Sequence, residues 1–546
     1  MVNPTMSKKE TSVFTVTDRA KDIFKVIYQE QIKEEKPSDE PKIRVSEVIS
    51  KMAFYYEKIR NSVDYKEENL LHKNAVERIL KRQINIEQLT DAEEIAKTLL
   101  SELIRAGYLP NNKLPETKIT EIQQTVDKYL KLKKISLSSA KETDKKIVAG
   151  WIIAMAACEI AGRLNLNPVN ETVIRNMYDT LLERIELPEN SPFKKDKEIQ
   201  LFISINLNYQ KSDRDLLGFL LLKYYVANWP EATDETIQKA GANIDELYRL
   251  INFQLDHPLS GQFNKIISRY TVYFSILAEV ISDNPVEVYE NFKNDPKAFA
   301  RLIKAACARR YKFTRSKLWR AALRSIIYLF LTKMLLVLVL EIPVSRLLGE
   351  TSSNLALAIN VSFPPILLFL ITLSTRLPSD KNTAKIIEGI EEFVFTEKAR
   401  IEPIRLRPPR PRSKARNIVF SIIYAVTFFL SFGFVIIALD SINFHFISIT
   451  IFLFFLALIS FFSIRIRKRV RELMVIEPGE NIFSLLIDFF YVPVIAAGKW
   501  LSEKFSQLNI LVFILDFIIE APFKLFVEIT EEWARYVKER KEDVSQ

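Results

Sequence analysis

Two stretches of this chain, Ile418 to Leu439 and Ile442 to Ile464, run for 22 and 23 residues without a single Asp, Glu, Lys or Arg. An α-helix rises about 1.5 Å per residue, so each run reaches roughly the 30 Å of a bilayer's hydrocarbon core. Two further apolar stretches precede them, Ser325 to Leu348 and Leu355 to Thr375. A chain carrying four such segments is expected to sit in a membrane.

The charge distribution predicts an orientation. Up to residue 300 there are 43 basic and 45 acidic side chains, whereas the remainder has 34 and 22, so the formal net charge of +10 belongs to the second half. Nine Lys and Arg, from Arg301 to Arg324, precede the first apolar stretch without an acid, and eleven occupy residues 376–417. Arg465, Arg467, Lys468, Arg469 and Arg471 follow the fourth stretch. By the positive-inside rule all three segments are cytoplasmic, and the short turns near Arg346–Asn354 and Asp440–Phe444 face outside. Two helical hairpins with cytoplasmic N- and C-termini satisfy every loop. Met1 to Ser12 is polar with no apolar region after it, so the first membrane helix serves as the insertion signal. A basic excess that flanks apolar helices reflects insertion and not nucleic-acid binding, which needs a basic stripe that the charge-balanced first half lacks.

Residues 1–300 read as an all-helical cytoplasmic region, with sub-boundaries near 109–117 and 188–197. Val45, Val48, Ile49, Met52, Ala53, Tyr56 and Ile59 recur at helical spacing. Similar patterns span 13–35, 68–84, 91–106, 117–132, 145–164, 170–186, 213–228, 234–254, 262–282 and 285–305. Ile199, Leu201, Ile203, Ile205, Leu207 and Tyr209 alternate with period two, but no second strand-like run lies nearby to pair with, so a helix is expected there too. Ile147 to Cys158 is apolar yet, at about 18 Å as a helix, too short to span, and reads as a buried core helix. The remaining organisation is a basic juxtamembrane segment (301–324), a first transmembrane hairpin (325–377), a cytoplasmic loop (378–417), a second hairpin (418–464) and a cytoplasmic-side tail (465–546). In the loop a helix near Thr383–Phe395 leads into a polybasic, proline-rich stretch. In the tail, Ser484, Asp488, Lys499, Ser502 and Ser506 share one helix face, and Asn509, Asp516, Glu520, Lys524, Glu528, Glu531, Arg535 and Lys538 share another. Two amphipathic helices in the interface are expected, with Trp500 and Trp533 near the headgroups.

The candidate functional positions lie in the membrane half. Lys333 and Glu341 fall inside the first span, where each charge costs on the order of 2.5–3.5 kcal/mol at mid-depth. Eight residues apart in a regular helix, they lie on adjacent faces and look for partners elsewhere, or Lys333 snorkels while Glu341 sits near the outer boundary. Asn360 precedes the pair Pro364-Pro365 in the second span. Two prolines free the carbonyls near Asn360 and Val361, which leads either to a broken helix with exposed carbonyls, as in transporter ion sites, or to a packing kink. Asp440 completes the intramembrane polar set. Arg405, Arg407, Arg410, Arg412, Lys414 and Arg416 form a cluster suited to anionic lipid headgroups, and equally a plain topology signal.

No enzyme motif is present. His72, His257 and His445 are too scattered for a metal, Cys158 and Cys307 have no partner at redox or ligand spacing, and HExxH, CxxC, GxSxG and a P-loop are all missing. No catalytic, metal or cofactor-binding residues are assigned, although Glu159 or the pair Asp213 and Asp215 could act together in the fold.

The strings Ala53-Phe54-Tyr55-Tyr56-Glu57-Lys58-Ile59-Arg60, Ala75-Val76-Glu77-Arg78-Ile79-Leu80, Asn360-Val361-Ser362-Phe363-Pro364-Pro365 and Asp516-Phe517-Ile518-Ile519-Glu520-Ala521-Pro522-Phe523-Lys524 resemble an uncharacterised family of bacterial polytopic membrane proteins. That resemblance implies a bacterial inner membrane and no particular chemistry. The leading expectation is a non-enzymatic membrane-anchored scaffold whose helical region docks a protein partner. The alternatives are a channel or transporter with a polar path at the first hairpin, and a lipid-handling protein. The expected partners are the bilayer with its anionic headgroups, a docked protein and further copies of the chain.

Overall fold

The computed structural model describes residues 15–33, 40–63, 68–139, 144–165, 167–347, 354–400, 402–407, 414–476 and 482–507, with a few isolated positions beyond. These residues are helical almost throughout. In chain order the helices are α1 (Asp18–Gln31), α2 (Glu47–Val63), α3 (Glu68–Asn85), α4 (Ala92–Arg105), α5 (Thr117–Ser139), α6 (Lys145–Leu164) and α7 (Pro168–Arg184). They continue with α8 (Lys197–Tyr209), α9 (Arg214–Tyr225), α10 (Asp234–Ala242), α11 (Ile244–Leu255), α12 (Ser260–Asp283) and α13 (Pro285–Asn294). The membrane half contributes α14 (Pro296–Leu336), α15 (Ile342–Leu347), α16 (Asn354–Leu373), α17 (Asp380–Val394), α18 (Lys414–Asp440), α19 (Phe446–Arg471) and α20 (Ile482–Gln507). Two short strands, β1 (Ile185–Glu186) and β2 (Ile404–Arg405), pair in parallel.

The chain divides into two compact units. One comprises Lys25–Thr271, Glu402–Pro408 and Ile510–Gln546, and the other Met1–Phe24, Val272–Ile401 and Pro409–Asn509. The boundary expected at residue 300 therefore falls about thirty residues earlier, inside α12, whose backbone runs on without a turn or a composition shift to mark it.

In the first unit the core gathers α3, α4, α5, α6, α9 and α10 around Leu99, Leu103, Ile122, Ile152, Met155 and Trp229. The Trp229 indole N–H donates to Tyr129 Oη at 2.8 Å. The run Ile147–Cys158 lies in α6, where ten residues are buried. By length and composition α6 would cross a membrane, but more than half of it is covered by its own unit, as expected of a core helix. The alternating run from Ile199 is helical, in α8. Ile199, Gln200, Leu201, Ile203, Ser204, Ile205 and Asn206 are all buried, so this helix is covered nearly all round and its sequence need not show a helical stripe. The patterns at 234–254 and 285–305 each hold two helices. Asn243 ends α10 and starts α11, and Asp295 caps α14 by accepting from the N–H groups of Lys297 and Ala298.

Among the described residues of the second unit, four more helices are long and apolar enough to cross a membrane: Lys297–Val344, Leu355–Leu373, Ala415–Asp440 and Phe446–Arg471. The basic segment 301–324 is not a separate element, since α14 carries it straight into the apolar stretch. With the turn that follows α14 and the start of α15, the helical stretch Lys297–Val344 has 48 residues and is about 72 Å long, more than twice a hydrocarbon core. Between α14 and α15 the backbone widens into a π-helical turn over Val337–Glu341, closed by the bond from Ile342 N–H to Val337 O. The helix α16 runs through Pro364 and Pro365 without interruption, so of the two alternatives the broken helix does not form. Both prolines are buried, and Pro364 belongs to a stripe at intervals of four with Ala356, Asn360, Leu368 and Thr372. The prolines thus serve the packed face of a continuous helix.

The helix expected near Thr383–Phe395 is α17. Its Asn382 ties the chain leaving α19, accepting from the N–H groups of Val475 (2.7 Å) and Ile476 (3.2 Å) and donating to Leu473 O (2.9 Å) and Tyr311 Oη (3.0 Å). The segment 482–497, expected flat in the interface, lies in α20 and packs lengthwise on α18 and α19. Gly498 rests on Ala457, halfway along α19, and the hydroxyl of Ser431, halfway along α18, donates to Phe490 O at 2.9 Å. The small residues Ala496, Ala497 and Gly498 make that close approach available, a property that charge-face patterning does not register. The second amphipathic helix, 508–527, lies outside the described residues.

Candidate functional site

In the first membrane helix the buried positions recur every four residues: Lys333, Val337 and Glu341 are 0, 6 and 0 % exposed between neighbours such as Leu335, Leu338 and Val339 that are more than half exposed. A regular helix would swing residues eight apart by about 80° relative to each other. The π turn takes in close to one residue more than an α turn, so one of each spans about eight residues. The widened turn therefore brings Lys333 and Glu341 onto one face, where regular geometry would have set them on adjacent faces.

Helices α16 and α19 cover that face. Both Glu341 carboxylate oxygens accept from Asn360 Nδ2, at 2.9 and 2.8 Å, and Oε1 also accepts from the Ser448 hydroxyl. Asn360 and Ser448 are themselves 0 and 2 % exposed. The Asn360 Oδ1 atom, on the same amide carbon as the donating nitrogen, is buried without a hydrogen-bond partner among the described residues. Lys333 Nζ has none either, and stands 4.5 Å from the centre of the Phe455 ring, an attractive face for a cation. That ring belongs to an apolar cluster with Leu368 and Ile459, against which Ile326, Leu329, Leu336 and Ile451 pack. The snorkelling expected for Lys333 does not occur, because its ammonium is enclosed.

Ser448, Phe452, Phe455, Ile459 and Ser463 form the α19 stripe that carries these contacts. Ser448 was not among the sequence candidates, although a hydroxyl in an otherwise apolar span is a usable signal. Further along this helix, Ser463 Oγ lies 3.0 Å from Tyr491 Oη of α20, and Ser460 Oγ is buried without a hydrogen-bond partner among the described residues. Glu341 stands six residues, about 9 Å, from the end of α15. Asp440 is exposed at the end of α18 and takes no part.

The polybasic cluster is arranged otherwise than a free lipid-binding segment. Arg405 lies in β2, paired with Glu186 of β1, and its guanidinium is 3.5 Å from the Glu186 carboxylate. Arg407 exchanges two main-chain bonds with the Gln262 amide, at 2.8 and 3.0 Å. Both side chains are exposed, as is Arg416 in α18, where Lys414 is the first residue. Arg410 and Arg412 lie outside the described residues.

The carboxylates that sequence alone left open are absorbed by ion pairs. Lys73 Nζ lies 2.9 Å from Asp213, 2.8 Å from Asp215 and 3.0 Å from Glu77. Burial opposes the Lys73 charge, but Cys158, Glu77 and Asp215 outweigh it and hold its pKa above the ordinary lysine range. Glu159, 3 % exposed, accepts from Lys128 (2.7 Å), Tyr129 (2.9 Å) and Arg163 (3.0 Å). Among the described residues no group of three or more His, Cys, Asp or Glu is placed to hold a metal ion.

Comparison with protein-family models, with curated proteins and with solved structures finds no match to this chain.

Proposed function

We propose that this protein is a multi-pass membrane protein that moves charge across a bacterial inner membrane through the Lys333–Glu341 site, as an ion-coupled transporter or channel. The proposed topology has four spans in two hairpins (α14–α15 with α16, and α18 with α19) and both termini in the cytoplasm, as the loop charges favour. One observation carries the reading: a fully buried ammonium without a hydrogen-bond partner shares a helix face with a fully buried carboxylate held by Asn360 and Ser448. Structural stability does not call for this. Replacing a buried ion pair by apolar residues of similar volume is often neutral or stabilising, and in lipid the two charges are dearer still. Ionisable groups that persist inside a bundle usually line ion or proton pathways.

The scaffold expected from the sequence asks for an apolar docking groove on the helical region. One cleft of that region is polar, lined by Glu77, Lys81, Arg214 and Asp215 beside Trp151 and Tyr248, and an apolar one beside Leu80, Val126 and Ile152 is too small to seat a partner's side chain, so neither favours that reading.

The test is flux in reconstituted vesicles under a potassium-diffusion potential and under imposed H⁺, Na⁺ and K⁺ gradients. The wild-type protein is expected to dissipate at least one gradient, and Glu341→Gln and Lys333→Met to slow this by tenfold or more, about 1.4 kcal/mol or more in barrier. Wild-type vesicles no leakier than protein-free ones to all three ions would overturn the proposal.

A further inference from the structure

We infer that Glu341, Asn360 and Ser448 form a binding site for a small monovalent cation of the Na⁺ class, and that Lys333 is a tethered cation competing with it for the one carboxylate. The inference deepens the transport reading by naming the ion, and rests on the same side chains.

Three oxygen-bearing groups from three helices converge here within hydrogen-bond distance: the Glu341 carboxylate of the π turn, the Asn360 amide of α16 and the Ser448 hydroxyl of α19. Hard cations take oxygen ligands of this kind, carboxylate, amide carbonyl and hydroxyl. With the Asn360 nitrogen toward Glu341, the carboxylate is satisfied, but the amide oxygen is left buried without a partner. Turning the amide over would set its oxygen against the carboxylate, which repels it unless a cation stands between them. The same three side chains thus have two self-consistent arrangements, one with the amide donating to the carboxylate and one with the amide and carboxylate oxygens both facing a cation. The rotation gives up both bonds from Asn360 Nδ2, and the contacts of a cation with the amide and carboxylate oxygens replace them.

Charge selects a monovalent ion. The site holds one carboxylate, and one cation neutralises it; a divalent ion would leave net positive charge in a low-dielectric interior. Lys333 already supplies a positive charge on the same helix face. Its ammonium is not locked to the carboxylate by a hydrogen bond but stands against the Phe455 ring. Burying Lys333 and a second cation together leaves one charge unbalanced, so each weakens the other's hold on Glu341.

The experiment is a Na⁺ titration of the purified full-length protein in nanodiscs at constant ionic strength, with choline as the replacement ion and thermal unfolding as the readout. Na⁺ is expected to raise the Tm of the wild-type protein saturably. Lys333→Met should reach half-saturation at a Na⁺ concentration lower by on the order of tenfold, the scale of removing one nearby like charge. Ser448→Ala, a small change that keeps Glu341 and Lys333, should weaken the Na⁺ response, and Glu341→Gln should abolish it. A Tm that responds to Na⁺ no more than to choline in both wild type and Lys333→Met would overturn the inference. An equal Na⁺ response in wild type and Ser448→Ala would do the same, and it remains decisive should the Glu341 or Lys333 variants not fold. Because the readout is binding, the two readings fail separately. A Glu341-dependent Na⁺ response without flux removes transport and keeps the site, whereas proton flux without a Na⁺ response keeps transport and removes the site.

Discussion

The contact between α19 and α20 makes a prediction about one methyl group. Gly498 is buried where α20 crosses Ala457, and a Cβ there would stand 2.6 Å from the Ala457 carbonyl carbon, 2.9 Å from Phe461 Cβ and closer still to the Ala457 carbonyl oxygen. Carbon atoms in contact sit about 3.5–4.0 Å apart, so Gly498→Ala requires the two backbones to separate by about 1 Å. Neither can yield by a rotamer change, because the nearest obstacle is main chain. Overpacking of this kind costs about 1–3 kcal/mol, and a gap of 0.5–1 Å also forfeits a quarter to a half of the dispersion energy along the opened interface. A loss of about 2–3 kcal/mol is expected, which at roughly 2–4 °C per kcal/mol lowers Tm by about 4–12 °C. Gly433 in α18 is the control, since a Cβ there meets nothing within 4 Å. Alanine at that position should be neutral or stabilising by about 0.5–1 kcal/mol through its better helix propensity. The assay is thermal unfolding in nanodiscs followed by tryptophan emission, with Trp500 two residues from the contact. Alanine shifts of opposite sign are expected, and equal shifts at Gly433 and Gly498 would refute the packing of α20 against the middle of α19.

Two further perturbations act outside the spans. Asn382→Ala removes the donor to Leu473 O and the acceptor for the Val475 and Ile476 N–H groups that hold the chain after α19, leaving those groups to find other partners; a loss of about 2–4 kcal/mol is expected, with protease cleavage appearing first near residues 473–476. Retention of wild-type Tm and protease resistance would show that this tether carries no load. His257 is 2 % exposed, and its Nδ1 accepts from Leu259 N–H, which requires the neutral ring. Burial lowers its pKa more than nearby Asp196 raises it, so in the folded protein it lies below the ordinary 6.5. The unfolded chain then binds the proton first, and the stability this histidine contributes is complete above about pH 6.5 and lost as pH falls through the folded pKa. The slope from this site is at most about 1.4 kcal/mol per pH unit, and His257→Asn should flatten it; stability rising toward acid in that window would contradict the assignment.

What was legible in the sequence follows from which interactions are local. The uncharged run Ile418–Leu439 falls within α18, and Ile442–Ile464 falls within α19 except for its first four residues, because helix formation in such segments depends on composition over one continuous window. Lys333, Glu341 and Asn360 stood out by the same logic, as polar groups where composition is otherwise apolar. Their arrangement did not. Ser448 lies 107 residues from Glu341, and no pattern within α19 alone says which of its hydroxyls meets the carboxylate. The boundary inside α12 was hidden for a related reason: it depends on which side chains the two ends of one helix touch, and nothing in the backbone of Ser260–Asp283 changes there. At Pro364 and Pro365 the sequence left a broken helix and a packing kink both open, since the missing donors are local but burial of the two rings is not; in the structure the helix is continuous and both rings are buried.

The π turn joins these points. A helix with polar groups at 333 and 341 and regular geometry can turn only one of them fully toward α16 and α19, leaving the other toward lipid at a cost of a few kcal/mol. Widening one turn weakens the local hydrogen-bond geometry, but it brings Val337 and Glu341 into line with Lys333, so that a single face holds all three. The local defect sets two ionisable side chains of opposite type on one buried face. An apolar pair would have left regular helix and the same packing, so the defect is evidence that the charges are what this helix is built to present. Replacing both Lys333 and Glu341 by leucine should therefore leave a folded bundle no less stable than the wild type, and strip it of flux and of any response to Na⁺.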